Sequence, residues 1–186
     1  ENSKIIKDSL IKFINNLDSK EMKNLPKDLI DIISDLLKKI SNYNNNENND
    51  NKDNEALDLY EEINLTLSTK IIKSSIFDRR LQGIKSLNEY IEKNNNNSKV
   101  CKKIIKIIKD NKIIEEIFGA NYHSQIINKS TEIVKLLLSN NELSEDDIKL
   151  IWSCTKRGDL EAKVTILKLL SQLVGNLDAK SVEMLL

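Results

Sequence analysis

Apolar residues recur along the first part of the chain at steps of three and four, the spacing that places them on one face of a helix. The first such stripe spans residues 3–17 and predicts a helix there. The second follows Pro26, a residue that the first turn of a helix tolerates because an N–H at that position has no intrahelical partner. The two stripes together predict a helical hairpin.

The same spacing continues through the rest of the chain. It predicts helices from about residue 54 past 71, over 75–93, 100–110, 112–118 and 122–138, from 144, from Asp159 to Gly175, and from about 178. We expect the first of these to break near Ser68 and Thr69. Gly119 follows a last apolar residue and is expected to stop its helix with a positive φ. Ser144 followed by Asp147 resembles a capping box.

Strong helices begin near residues 4, 55, 98 and 144. Without the asparagine-rich tract between the first two, the intervals are about 40 residues, close to the repeat length of HEAT and armadillo proteins. A single helix pair cannot cover its own apolar face, whereas stacked neighbours bury a continuous core. The sequence therefore predicts an all-α, armadillo-like or HEAT-like solenoid of about four helix pairs over residues 1–186, with apolar surface at both ends.

Two asparagine-rich tracts interrupt the helical pattern. Residues 42–54 contain one aromatic and no aliphatic side chain, and residues 94–97 form a shorter asparagine run. Such segments have little to bury against a core, so we interpret both as low-complexity loops. Because the chain begins at Glu1 without a methionine, we also expect it to be a segment of a larger protein.

Composition narrows the class of protein. Four glycines and one proline are too few to supply the turns of an all-β fold, and 29 basic against 29 acidic residues leave no global field for nucleic acid or a membrane. No apolar run approaches the roughly 20 residues of a membrane-spanning helix, and no signal peptide is visible. Cys101 and Cys154 fit neither a disulfide framework nor a metal site. We expect an intracellular, cytoplasmic protein, with the nucleus as the alternative.

No residue pattern indicates catalysis. The glycines stand alone, which excludes a phosphate-binding loop, and His123 is the one histidine, which excludes a zinc site. A thiol nucleophile needs a neighbouring base, so Cys101 or Cys154 with His123 is the one arithmetic possibility. Both cysteines lie within predicted helices beside apolar residues, where free cysteine usually packs as a small hydrophobe. We therefore predict no catalytic residue, no cofactor and no metal.

One helix carries a basic face opposite its apolar side. Its members are Lys99, Lys102, Lys103, Lys106 and Lys109. This face is either an ordinary solvated surface or the contact for an acidic protein, with RNA or a lipid surface as further alternatives. No aromatic residues interleave the lysines as base stacking would require.

Two stretches resemble a known family. Residues 117–123 read Ile-Phe-Gly-Ala-Asn-Tyr-His and are followed by Trp152, while residues 77–84 read Phe-Asp-Arg-Arg-Leu-Gln-Gly-Ile. This pattern resembles the non-catalytic helical region of the large fat-facets-type ubiquitin-specific proteases, over about residues 70–186. The signature positions are Phe77, Arg80, Leu81, Gly83, Ile117, Phe118, Gly119, Asn121, His123 and Trp152.

The resemblance implies a non-catalytic role. Members of this family are thiol proteases that remove ubiquitin, using a Cys box and a His box in a separate catalytic domain, and neither box occurs here. The implied function is a scaffold that binds ubiquitinated substrates, adaptors or the parent's catalytic domain, with no nucleic acid and no membrane. The alternatives are a free-standing armadillo-like adaptor or transport scaffold, and an RNA-binding or lipid-binding solenoid.

The resemblance also implies structural roles for its signature residues. Ile117, Phe118 and Trp152 are expected mainly in the core. Gly119 is expected to close a helix, and Asn121 with His123 to shape the turn that follows.

Overall fold

A computed structural model describes residues 2–18, 21, 32, 33, 35, 36, 39, 62–157 and 160–173. The predicted loop over 42–54, the Asp159 cap, the Gly175 stop and the last predicted helix lie outside these residues. Of the predicted second helix, residues 32, 33, 35, 36 and 39 are described, and they are helical.

The described residues contain helices and no strand. The helices that are described without interruption are, in chain order, α1 (Asn2–Asn16), α2 (62–72), α3 (Phe77–Asn94), α4 (Ser98–Asp110), α5 (Ile113–Phe118), α6 (Ser124–Lys129), α7 (Thr131–Ser139), α8 (Glu145–Arg157) and α9 (Leu160–Leu173). The all-α prediction is confirmed, and the predicted bounds of α1, α3, α4 and α5 differ from the observed ones by one or two residues.

Side chains at the helix starts explain two of these bounds. Asn97 begins α4 by accepting a hydrogen bond from the N–H of Val100 at 3.2 Å. At α8 the predicted capping box is present. The Asp147 carboxylate accepts from the N–H of Ser144 at 2.9 Å, and the Ser144 hydroxyl accepts from the N–H of Asp147 at 3.1 Å. Both caps satisfy N–H groups that the first helical turn leaves without a partner.

Two predictions about helix continuity were wrong. α2 does not break at Ser68 and Thr69, which lie buried inside a continuous helix where the Thr69 hydroxyl donates to the carbonyl of Thr66. The predicted helix over 122–138 is instead divided into α6 and α7 at Ser130. There the N–H and the hydroxyl of Ser130 both donate to the carbonyl of Ile127, which tightens the turn and ends the regular ladder.

The prediction of a positive φ at Gly119 was also wrong. Gly119 ends α5 with φ −74° and ψ −144°. Among the described residues, the left-handed ones are Lys112 and Asn141, at φ 52° and 56°. Glycine is required at position 119 for space. A Cβ atom there would lie 2.2 Å from the backbone oxygen of Glu115.

The apolar interior formed by the described residues divides into two clusters that meet at α2. The larger cluster is built from α3 to α9 together with Leu65 and Ile72 of α2. The smaller one joins Ile14 of α1 and Ile33 to other residues of α2. α2 and α3 cross closely at Gly83, where a Cβ would lie 2.8 Å from backbone atoms of Ser68 and Ile72. α2 therefore connects the N-terminal helices to the main core.

The end of α1 is fastened to α2 by one lysine. The ammonium group of Lys70 donates to the carbonyl oxygens of Ile14, Asn15 and Leu17 at 2.5, 2.6 and 3.1 Å. Ile14 and Asn15 lie in the last turn of α1, where backbone acceptors lack helical donors, and Leu17 follows the helix directly. Lys70 thus satisfies three acceptors at once across more than fifty residues of sequence.

Large apolar side chains are exposed in α1, at residues 32 and 36, and in α9. They are Ile5, Phe13, Ile32, Leu36, Leu160, Val164 and Leu167. Ile5 agrees with the expected apolar surface near the first end of the chain, while the other end, residues 174–186, lies outside the described residues. Among the described residues, no helix combines the length and the hydropathy needed to cross a membrane.

Candidate functional site

The residues that carry the family resemblance converge on the connection between α5 and α6. We call residues 119–123 the junction loop. Ile117 and Phe118, which precede it, are completely buried in the main core. The loop follows from local requirements, because α5 must end at Gly119 and α6 must begin at Ser124.

Arg80 ties the junction loop to α3. Its guanidinium donates to the carbonyl of Glu116 at 2.7 Å and to the carbonyl of Asn121 at 2.8 Å, while the residue as a whole is only 8% exposed. Burial lowers the pKa of Arg80, and the nearby Glu116 carboxylate acts in the opposite direction. The planar fork of arginine suits this task because it reaches two acceptors from one side chain.

Arg157, from the end of α8, holds the same loop from the other side. One of its guanidinium nitrogens donates to the carbonyl of Phe118 at 3.0 Å, and its central carbon lies 5.5 Å from the centre of the Tyr122 ring. The thiol of Cys154 donates to the same Phe118 carbonyl at 3.1 Å. The last carbonyl of α5, which has no helical donor, is therefore satisfied by two side chains of α8.

His123 begins α6. Its Nδ1 accepts a hydrogen bond from the N–H of Gln125 at 3.2 Å, and its ring centre lies 4.4 Å from that of Phe77 at the start of α3. The ring therefore caps one helix and packs on another. Asn121 contributes its carbonyl to Arg80, while its side chain is exposed.

The remaining signature residues lie in the helices around the loop. Gly83 lies at the crossing of α2 and α3, whereas Leu81 and Trp152 are partly buried and pack against the main core. The structure thus brings Phe77, Arg80, Asn121 and His123 together, and gives Gly83 a separate packing task.

The basic face of α4 lies elsewhere. Lys99, Lys102, Lys106 and Lys109 are exposed and Lys103 is partly buried, while Cys101, Ile104, Ile105 and Ile108 of the same helix are buried in the main core. Lys109 forms an ion pair with Glu142, a residue of the connection between α7 and α8. An open groove of about 430 Å³ runs between α4 and this connection, lined by Lys102, Lys106, Lys109, Asn140 and Glu142 among others.

Residues 58–186, more than half of the chain, match the family model described as the UBP24/USP9X/USP9Y ARM repeat. This chain belongs to the UBP24/USP9X/USP9Y ARM repeat family. The membership confirms the resemblance drawn from residues 77–84 and 117–123, and it confirms the armadillo-like helical fold. The match begins at residue 58, so it includes α2, which the signature residues had left outside.

A curated relative of this ARM repeat chain is the ubiquitin carboxyl-terminal hydrolase puf of Drosophila melanogaster. The two are 29% identical over 130 residues, which cover 63% of this chain and 3% of that protein. No solved structure matches the chain significantly.

Sequence reasoning missed the arginine that completes the junction of this ARM repeat. Arg157 ends α8, and basic residues are common in the last turn of any helix because they complement the helix dipole. That position alone gave no signal of a contact with Phe118, which lies 39 residues earlier. The contact between the Cys154 thiol and the Phe118 carbonyl could not be predicted either. Helical spacing predicts which face of a helix is buried, but not which carbonyl a buried thiol contacts.

Proposed function

We propose that this chain is a non-catalytic, protein-binding scaffold region of a cysteine-type deubiquitinating enzyme, with the catalytic domain elsewhere in the parent polypeptide. The observation that carries the proposal is the family match over residues 58–186. The relative named as a ubiquitin carboxyl-terminal hydrolase supports the link to deubiquitination.

The surroundings of Cys154 support a packing role for this thiol. The residue is completely buried and its Sγ lies 3.1 Å from the Phe118 carbonyl. Burial raises the pKa of the Cys154 thiol, and Arg157 offsets this rise only in part. A cysteine nucleophile needs a lowered pKa and access to its substrate, so Cys154 has the opposite of both properties.

Cys101 and His123 are likewise engaged in structural contacts. The Cys101 thiol is buried and lies 3.4 Å from the carbonyl of Asn94, at the end of the preceding helix. Nδ1 of His123 accepts from the N–H of Gln125 and therefore caps α6. We assign these groups to helix packing and capping rather than to a thiol–imidazole pair.

A stack of helix pairs suits a scaffold because each pair contacts its neighbours, so the stack presents an extended surface held in fixed geometry. The two arginines that hold the junction loop add rigidity where α5 turns into α6. The partners that we propose for this surface are ubiquitinated substrates, adaptor proteins or the parent's own catalytic domain.

The decisive experiment compares this chain with its full-length parent. Each is incubated with a fluorogenic ubiquitin substrate and with a thiol-reactive ubiquitin probe. We expect cleavage and probe labelling in the parent alone. Activity in the isolated chain would overturn the packing assignment of Cys101 and Cys154, while activity in neither protein would favour a free-standing armadillo-like adaptor.

A further inference from the structure

The lysines of α4 are arranged in a way that opposes the stability of their own helix. Lys99, Lys102, Lys103, Lys106 and Lys109 occupy an arc of roughly 120° on one side, as the rotation of about 100° per residue requires. Five pairs of these lysines are separated by three or four residues and are therefore neighbours on the helix surface. The pairs are 99–102, 99–103, 102–106, 103–106 and 106–109. Pairs of like charge at these separations destabilise a helix.

The N-terminus of α4 is a further unfavourable location for positive charge. The first turn of α4 contains Lys99 and no acidic residue, although the N-terminus of a helix favours negative charge. In the part of the chain that the structure describes, Lys109 is the one member of the face with a carboxylate within ion-pair distance, and that carboxylate belongs to Glu142.

Other helices of this chain handle their lysines differently. Lys85 faces Glu89 in α3, Lys135 faces Glu132 in α7, and Lys149 faces two acidic residues in α8. These three helices each place a lysine beside a carboxylate of the same helix. In α4 no such pair forms, and Asp110, four residues after Lys106, is not within ion-pair distance of it. The lysines of α4 therefore have no ion-pair partner within their own helix.

The groove beside α4 already shows how a carboxylate is received. Glu142 reaches across from the connection between α7 and α8 and pairs with Lys109, and both residues line the groove. Lys102 and Lys106 line the same groove. From these observations we propose that the lysine face of α4 is a docking site for an extended acidic segment of a partner protein, and that Glu142 is an internal competitor for part of it.

The dimensions agree with a short extended segment. Lys99 and Lys109 are ten residues apart, a distance of about 15 Å along a helix axis. An extended chain advances about 3.3 Å per residue and turns every second side chain to the same side, so about five residues cover the face. Two or three carboxylates of such a segment then meet the lysines directly.

The surface of α4 fits a protein partner better than a membrane. An amphipathic helix that binds lipid inserts its apolar side into the membrane. The apolar side of α4, including Ile104 and Ile108, is instead buried in the main core. None of the exposed large apolar residues among the described positions belongs to α4.

The surface also lacks a feature that favours single-stranded nucleic acid. Such sites combine a basic groove with aromatic side chains on which bases stack. The residues that line the groove include no aromatic side chain. An acidic peptide can bind through ion pairs between its carboxylates and the ammonium groups of the lysine face, without aromatic contacts.

The test measures binding of the 186-residue chain to a fluorescein-labelled peptide of alternating glutamate and serine. The same peptide with glutamine in place of glutamate is the uncharged reference. We expect the glutamate peptide to bind more tightly, with an affinity that falls as salt is added. The double variant K102E/K106E should weaken this binding by about tenfold or more, since it replaces two attractive contacts with repulsive ones.

Two further variants make the result specific. K85E/K168E changes the net charge by the same amount at exposed positions outside the lysine face, and it should alter the affinity by less than about threefold. Glu142→Gln removes the internal competitor from Lys109, so it should tighten binding. Circular dichroism melting of each variant verifies that the fold is retained.

Several results would overturn the proposal. These are equal binding of the glutamate and glutamine peptides, an equal effect of K85E/K168E and K102E/K106E, or tighter binding of an oligothymidine or of phosphatidylserine vesicles than of the glutamate peptide. The docking site rests on the interaction role proposed above. The two are separable, because ubiquitin cleavage by the parent tests the link to a deubiquitinase without involving the lysine face.

Discussion

Gly119 shows how one residue can be required for its size. The N–H of Gly119 donates to the backbone carbonyl of Glu115, and the chain lies so close to that carbonyl that a side chain at position 119 has no room. The prediction of a helix stop was right for this position, while the predicted left-handed conformation was wrong. Space, and not the sign of φ, selects glycine here.

We predict that Gly119→Ala lowers the free energy of unfolding by about 2 kcal/mol or more, because the new Cβ overlaps a backbone atom that cannot move aside cheaply. Urea unfolding measures the change. The control is Ala120→Ser at the next, exposed position, which should change stability by less than about 0.5 kcal/mol. Equal stability of Gly119→Ala and the wild-type chain would contradict the close approach.

Cys154 carries a prediction about pH. Burial raises the pKa of its thiol above the ordinary value of 9.0, so between the unfolded and folded pKa values the folded chain holds more protons than the unfolded one. Its contribution to stability is therefore complete below pH 9.0 and is lost as the pH rises through the folded pKa.

The measurement compares urea unfolding of the wild-type chain and Cys154→Ala on either side of that pH. The wild-type chain should lose more stability at alkaline pH than the variant does, since the variant lacks the titrating thiol. Identical pH dependence in both proteins would show that the thiol titrates normally in the folded chain.

At the scale of elements, Arg80 joins α3 to the junction loop through two carbonyl groups. We predict that Arg80→Met destabilises the chain by about 2–3 kcal/mol, because two acceptors lose a charged donor. Arg80→Lys should recover part of this loss, since an ammonium group keeps the charge without the two-pronged geometry. Thermal unfolding compares these variants with Lys85→Met, an exposed change on the same helix. Equal effects of Arg80→Met and Lys85→Met would exclude a tethering role for Arg80.

Helix positions were largely predictable from sequence, while the connections between helices were less so. Steps of three and four fixed α1, α3, α4 and α5 closely, and the Ser144–Asp147 box fixed the start of α8. The division at Ser130 was missed. A serine inside an apolar stripe does not disturb the pattern, and its hydroxyl can bond within a helix or end it depending on what packs nearby.

At the scale of the whole molecule, the unequal sizes of the two apolar clusters predict unequal local stability. α1 belongs to the small cluster and is fastened to α2 by Lys70, whereas α5, α6 and α7 lie in the large cluster. Regions with fewer buried contacts open at lower free energy than the global value. We therefore expect backbone amides of α1 to exchange with deuterium faster than those of α5 and α7 under native conditions.

A single variant checks the cause of this difference. Lys70→Met removes the donor to the carbonyls of Ile14, Asn15 and Leu17, so it should further accelerate exchange in α1 and leave α5 and α7 nearly unchanged. Uniform acceleration along the chain, or no change in α1, would show that the two clusters open as one unit.

The sequence was sufficient for the helical class, the family and the basic face of α4, because each of these depends on spacing along one helix or on a contiguous motif. The tertiary structure decided which residues act together. Arg80, Cys154 and Arg157 reach the end of α5 and the junction loop from helices that lie about 40 residues away in sequence in either direction. Glu142 reaches Lys109 in the same way. Such contacts depend on how helices pack against one another, and periodicity within a helix carries no information about that packing.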